Sequence, residues 1–137
     1  KRVPYALIGG VALAFHGFPR FTRDIDVLIE AKVLEDVRNI LENLGYFESS
    51  TPWTFKNDPL TLHRFMRVDE EMGEMIVDIL VAGSDKHREI IQKAATAASE
   101  GTSSVRVARR QDLVWLKEKR NSKQDAADIE RLKDEKP

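Results

Sequence analysis

Two stretches separated by thirteen residues decide how this chain is read: Tyr5-Ala6-Leu7-Ile8-Gly9-Gly10 and Asp24-Ile25-Asp26-Val27-Leu28-Ile29. The first is a short apolar run ended by a glycine pair, which predicts a buried strand over residues 3–8 and a short helix over 11–15. Between a strand and a helix, bare backbone N–H groups and the positive end of the helix dipole can accept a phosphate, although an ordinary turn is the commoner reading of a strand that ends in Gly-Gly. The second stretch predicts a strand with Ile25, Val27 and Ile29 on one face and Asp24, Asp26 and Leu28 on the other. Residues two apart on a strand lie about 6.8 Å apart on the same side, so Asp24 and Asp26 are near enough to share a metal ion. A pair of exposed carboxylates on an edge strand is the plain alternative. The apolar flanks argue for burial, where like charges are costly unless compensated, and a divalent cation is the simplest compensation.

Working outward, Asp78 lies inside a second apolar strand, Ile76-Val77-Asp78-Ile79-Leu80. If that strand neighbours the first, three carboxylates converge. Acidic oxygens without His or Cys suit Mg²⁺ or Mn²⁺, and two ions about 3.5 to 4 Å apart serve in-line phosphoryl transfer. A buried ion pair between Asp78 and an Arg is the alternative.

Elsewhere the periodicity predicts a helix over 31–44 with Gly45 at its C-terminus, strands over 60–68 and 75–81 joined as a hairpin, and a helix from Ser84 or Asp85 to about residue 98. A brief strand over 105–108 and two helices, 111–119 and 123–133, follow. Residues 48–59, with Pro52 and Pro59, predict a loop. Trp53 and Trp115 read as core residues, and His16 as a hydrogen-bonded packing residue. His63 and His87 have no spaced partner.

The whole chain of 137 residues, 42% hydrophobic and 33% charged, fits one domain over 1–137, and a start at Lys1 without Met suggests further residues upstream. With no Cys there is no disulfide framework and no thiol nucleophile. A net charge of −1 supplies no global field for nucleic acid, but 106–123 carries seven basic residues against two acidic ones, which would draw an anionic ligand. The longest near-apolar stretch, 5–18, is too short for a membrane span and lacks a convincing signal-peptide pattern, which points to a cytoplasmic protein.

The combination Ile8-Gly9-Gly10, the spacer, Asp24-Ile25-Asp26-Val27 and Val77-Asp78-Ile79 resembles the signature of the DNA polymerase β-like nucleotidyltransferase superfamily. Arg20 through Asp26, Asp112-Leu113 through Lys117, and Asp125 through Ile129 resemble the small bacterial members related to abortive-infection toxins. The resemblance spans nearly the whole chain; Gly10 departs from it where many relatives have Ser. It implies an α+β fold, a small mixed sheet with helices on one face and a C-terminal helical pair beside it. It also implies an enzyme that uses Mg²⁺ or Mn²⁺, as two ions, to move NMP from an NTP to an acceptor hydroxyl, which RNA, protein or a small molecule would carry. Asp24 and Asp26 would ligate both ions and Asp78 the one that activates the acceptor. Gly9, Gly10, Arg20, Thr22, Arg23 and Lys117 would hold the nucleotide, with solvated loop or helix face as the alternative for the last four. A retired or partner-dependent copy in a toxin–antitoxin pair, or a metal-dependent phosphohydrolase, are the rival readings.

Overall fold

A computed structural model describes residues 3–9, 11–12, 16, 24–55, 58–71, 73–97 and 104–120. Its strands are β1 (Ala6–Ile8), β2 (Asp24–Ile29), β3 (Phe47–Glu48), β4 (Trp53–Thr54), β5 (Thr61–Asp69), β6 (Gly73–Val81), β7 (Ala95–Ala97) and β8 (Val105–Val107). The helices are a 3-10 turn at Ala31–Val33 that leads into α1 (Leu34–Asn43), then α2 (Asp85–Gln92) and α3 (Arg110–Arg120). The strands form one mixed sheet in the order β3-β5-β6-β2-β1-β8-β7, with β4 also paired to β5. β2 runs parallel to β6 and β1 to β8, and the other pairings are antiparallel.

The alternation expected in β2 places the core. Leu28, Leu80 and Leu62 lie side by side across β2, β6 and β5 and pack with Ile90 and Ile91 of α2 and Leu113 and Leu116 of α3. Ile29, Phe65, Val77 and Ile79 pack against Leu41 on α1, with Leu34 and Val37 beside it. Both faces of the sheet therefore carry helices, which corrects the one-sided arrangement expected. β2 and β6 are apolar on both sides apart from their carboxylates, and each face must be covered. Fully burying one Leu or Phe contributes about 1.5–3 kcal/mol, so this double covering holds the central strands in one register.

Three local expectations change for tertiary reasons. Residues 48–59 are not all loop: Trp53 and Thr54 pair with Leu62 and Thr61 on β5, and Trp53 lies exposed against Phe55, ring centroids 4.5 Å apart, instead of in the core. The helix beginning after the Ser84 cap, whose hydroxyl accepts the His87 N–H, ends at Gln92 and not near residue 98. Arg106 on β8 donates to the carbonyls of Ile91 and Gln92 at 3.1 and 3.3 Å, satisfying the helix end, and the following Ala95–Ala97 pairs with β8. Helix propensity in this alanine-rich segment yields to that pairing. Of the helix expected over 11–15, residues 11 and 12 are helical and 13–15 lie outside the described residues. The second C-terminal helix, 123–133, also lies outside them. Among the described residues no helix is long and apolar enough to cross a membrane.

A buried polar pair fastens the segment before β5 to α2. His87 is fully buried; its Nδ1 accepts the Gly83 N–H at 3.0 Å and its Nε2 donates to Asp58 Oδ1 at 2.6 Å. Accepting at Nδ1 requires the neutral imidazole, and burial pushes the His87 pKa below its ordinary value despite the nearby carboxylate. Gly83 is required beside it, because a Cβ there would lie 1.9 Å from the Pro59 carbonyl oxygen.

The unfolded chain, with His87 near its usual pKa of about 6.5, binds this proton more readily than the folded one, so stability is full above that pH and lost as pH falls through it toward the folded pKa. Melting temperature should drop between about pH 7 and 5.5 more steeply in the native protein than in His87→Gln, which itself should cost about 2 kcal/mol at pH 7.5. Parallel curves for the two proteins would exclude a neutral buried His87.

Candidate active site

The charged positions continue the rows of the core. Next to the row Leu62, Leu80, Leu28 on the same face comes Arg64, Asp78, Asp26, with Ile8 of β1 beyond, and next to that Met66, Ile76, Asp24. The structure thus makes the Asp24 and Asp78 strands neighbours, and Asp26 and Asp78 are direct partners in the parallel ladder. Adjacent strands stand about 4.8 Å apart, so two carboxylates on one face are held close by the backbone itself. Asp78 is buried, while Asp24 and Asp26 are half-buried toward the end of the sheet.

Gly9 closes the row from the β1 side. Its φ is +74°, and a Cβ at this position would lie 2.1 Å from Asp26 Oδ2. Backbone geometry and lack of room both demand glycine here, and the bare main chain of the Gly9 turn is thereby pressed against an acidic side chain. Gly10, Arg20, Thr22 and Arg23 lie outside the described residues.

Sequence reasoning missed Arg64. It stands opposite Asp78 on β5 and grips it with two bonds, Nε to Oδ1 at 2.8 Å and Nη2 to Oδ2 at 3.0 Å. The Asp78 bond first of all, reinforced by the charges of Asp78, Asp24 and Asp26, holds the Arg64 guanidinium above its ordinary pKa against the opposing effect of its partial burial. All three carboxylates therefore act on one place. The signal was present in the hairpin: pairing Asp69 with Gly73 across the turn and counting back along both strands brings Arg64 to Asp78.

The donor set of Asp24, Asp26 and Asp78 is all oxygen on one face, in a chain without Cys, which is the donor chemistry that a hard divalent cation takes. Among the described residues, no three His, Cys, Asp or Glu side chains are grouped so as to hold one ion; both Asp78 oxygens are turned onto Arg64.

Lys117 does not sit on a solvated helix face. It is 3% exposed and lines, with Ile8, Gly9, Leu60, Leu80, Leu113 and Leu116, a cavity of about 10 Å³, the size of a single water. Much of the basic excess of 106–123 is already engaged internally. Arg106 holds the end of α2, and Arg110 donates to the His16 carbonyl at 3.4 Å. Arg109 and Lys86 both bond the fully buried Asp112, at 2.9 and 3.0 Å, and Lys119 lies over the Trp115 ring. The C-terminal sequence motif thus serves in part as the joint between α2 and α3.

No family model and no curated protein matches the sequence. Solved structures do share the fold. A Thermotoga maritima protein described as a nucleotidyltransferase superposes with a TM-score of 0.62 at 14% identity, over 99% of this chain and 85% of its own. The lincosamide antibiotic adenylyltransferase LnuA with lincomycin bound gives 0.53 at 20% identity, over 96% and 86%. ANT(2″)-Ia in complex with adenylyl-2″-tobramycin gives 0.54 at 19% identity, over 95% and 77%. The architecture is the nucleotidyltransferase fold.

If Asp26 is what forbids a side chain at residue 9, Gly9→Ala should destabilise the protein by about 2 kcal/mol or more, and part of that cost should vanish when Asp26→Ala is added. Urea melts of the two single variants and the double variant measure the coupling. Strictly additive costs would mean that backbone strain alone selects glycine.

Proposed function

We propose that this chain is a divalent-metal-dependent nucleotidyltransferase that moves NMP from an NTP to an acceptor hydroxyl with release of pyrophosphate. The observation that carries the reading is the row in which Asp78 of β6 and Asp26 of β2 stand side by side, with the Gly9 turn that follows β1 against Asp26, on a fold shared with solved nucleotidyltransferases. Asp24 and Asp26 would hold two Mg²⁺ or Mn²⁺ ions, with Asp78 completing the one on the acceptor side. Bound there, such cations neutralise triphosphate charge and make a hydroxyl more acidic.

The protein's own groups do the rest. Gly9 lets the main chain of the turn approach Asp26 closely, and the turn, with Gly10, Arg20, Thr22 and Arg23, is proposed to grip the phosphates. Lys117, buried behind the Gly9 turn, adds positive potential at short range in a low-dielectric setting. The acceptor oxygen attacks the α-phosphorus in line, the bond from that phosphorus to the β-phosphate bridging oxygen breaks, and pyrophosphate departs. Asp78 takes the hydroxyl proton on a carboxylate oxygen. Two structural neighbours are named for antibiotics, so an antibiotic hydroxyl is the first acceptor to assay, before RNA or protein.

One observation favours a second reading. A bidentate Arg64–Asp78 pair is also what a retired site would carry, in a copy that binds a partner protein such as an antitoxin.

With Mg²⁺ and labelled NTP, the native protein should release pyrophosphate once its acceptor is supplied. Asp78→Asn should lose at least about a hundredfold in rate while keeping much of its NTP affinity, whereas Asp26→Asn should damage both. Native rates for Asp78→Asn would overturn the three-carboxylate site. In a separate measurement, saturating Mn²⁺ or Mg²⁺ should raise the melting temperature of the native protein and not that of Asp24→Ala; equal shifts would place the ion elsewhere.

A further inference from the structure

Asp78 and Arg64 differ in their freedom to move. The Asp78 side chain is 6% exposed and that of Arg64 41%. The carboxylate is fixed within a central strand, whereas the guanidinium reaches it from the solvent side, on a long stem that can adopt other rotamers. Both carboxylate oxygens are engaged, at 2.8 and 3.0 Å. Directly beside Asp78 in the ladder is Asp26, and Asp24 shares the face. A planar guanidinium at the end of the acidic row offers dispersed positive charge where a cation would offer concentrated charge.

We propose that Arg64 is a built-in counter-ion for the carboxylate row, occupying Asp78 when no divalent cation is bound and being displaced from it when one binds. The inference rests on the metal-dependent reading above and adds a residue that no motif contains. Arg64 gives both oxygens of the buried Asp78 a charged donor next to Asp26, where a buried carboxylate facing a like charge without a partner would be costly. A divalent cation engaging Asp78 must take oxygen lone pairs that now accept from Nε and Nη2, and its charge repels the guanidinium. Arg64 therefore lowers metal affinity in exchange for an ordered carboxylate row. Ion occupancy then decides whether Asp78 is paired or available to an acceptor hydroxyl.

Titration with Mn²⁺ alone, following the free ion by electron paramagnetic resonance, tests this without any substrate. Arg64→Gln should bind Mn²⁺ roughly tenfold more tightly than the native protein, because a positive competitor has been removed. A residue of purely structural importance would give the opposite sign. Arg64→Lys, which keeps the charge but loses the two-point grip, should fall between the two and serves if Arg64→Gln does not fold. In an Asp78→Asn background the gain should disappear. Equal or weaker Mn²⁺ binding by folded Arg64→Gln, in a protein whose binding is lost in Asp24→Ala, would overturn the counter-ion role and leave the proposed activity standing. Binding unaffected by Asp24→Ala in every variant would overturn both, since the ion would not be on this row.

Discussion

Asp26 and Asp78 face each other in neighbouring parallel strands, on the same side of the sheet and one row from a sealed apolar core. Two like charges at that spacing repel, and strands that carried them alone would not hold their register. Much of the surrounding structure answers this constraint. Leu28 and Leu80, two residues further along, are 0% and 2% exposed and fasten the same strands together by burial. Arg64 supplies the opposite charge from β5, and Gly9 gives up a side chain so that the Asp26 carboxylate has room. The sheet therefore stores its electrostatic demand at one end and its hydrophobic stabilisation immediately beside it.

The covering helices extend the same division. α1 seals the face opposite the carboxylates with Leu34, Val37 and Leu41, so nothing chemical is asked of it beyond burial. On the carboxylate face, α2 and α3 are locked to each other through Asp112, fully buried between Lys86 and Arg109. Breaking one arm of such a network leaves a buried charge short of partners, which is costly. α2 is further tied to the segment before β5 by His87 and Asp58. These polar joints keep α3 in place, and with it Lys117 behind the Gly9 turn. A basic cluster that looks in sequence like a landing surface for anions is in good part the internal fastening that positions a single lysine.

Arg64 gives the site a second meaning. Its grip satisfies both oxygens of the buried Asp78 carboxylate, and its own side chain is far more exposed than that of its partner. An acidic pair whose charge is balanced by a displaceable side chain differs from one closed by a structural salt bridge in the mobility of the partner, not in the bond itself. The unequal burial of the two side chains is the feature on which the proposed displacement rests.

What the sequence determined by itself was whatever depends on local periodicity. Alternation over 24–29 assigned Asp24, Asp26 and Leu28 to one face, the 3.6-residue spacing marked α1, and Ser84 or Asp85 marked the start of α2, because each rests on neighbours a few residues apart. The apolar setting of Asp78 was legible for the same reason. Tertiary structure decided everything that requires strand partners: that β6 lies against β2 in the register that puts Asp78 beside Asp26, that Arg64 is the residue opposite, and that Lys117 is buried. It also ended α2 at Gln92 through a carbonyl cap from Arg106 and turned 53–54 into an edge strand. Such outcomes compare the energies of alternative long-range pairings, and local propensity does not contain those energies.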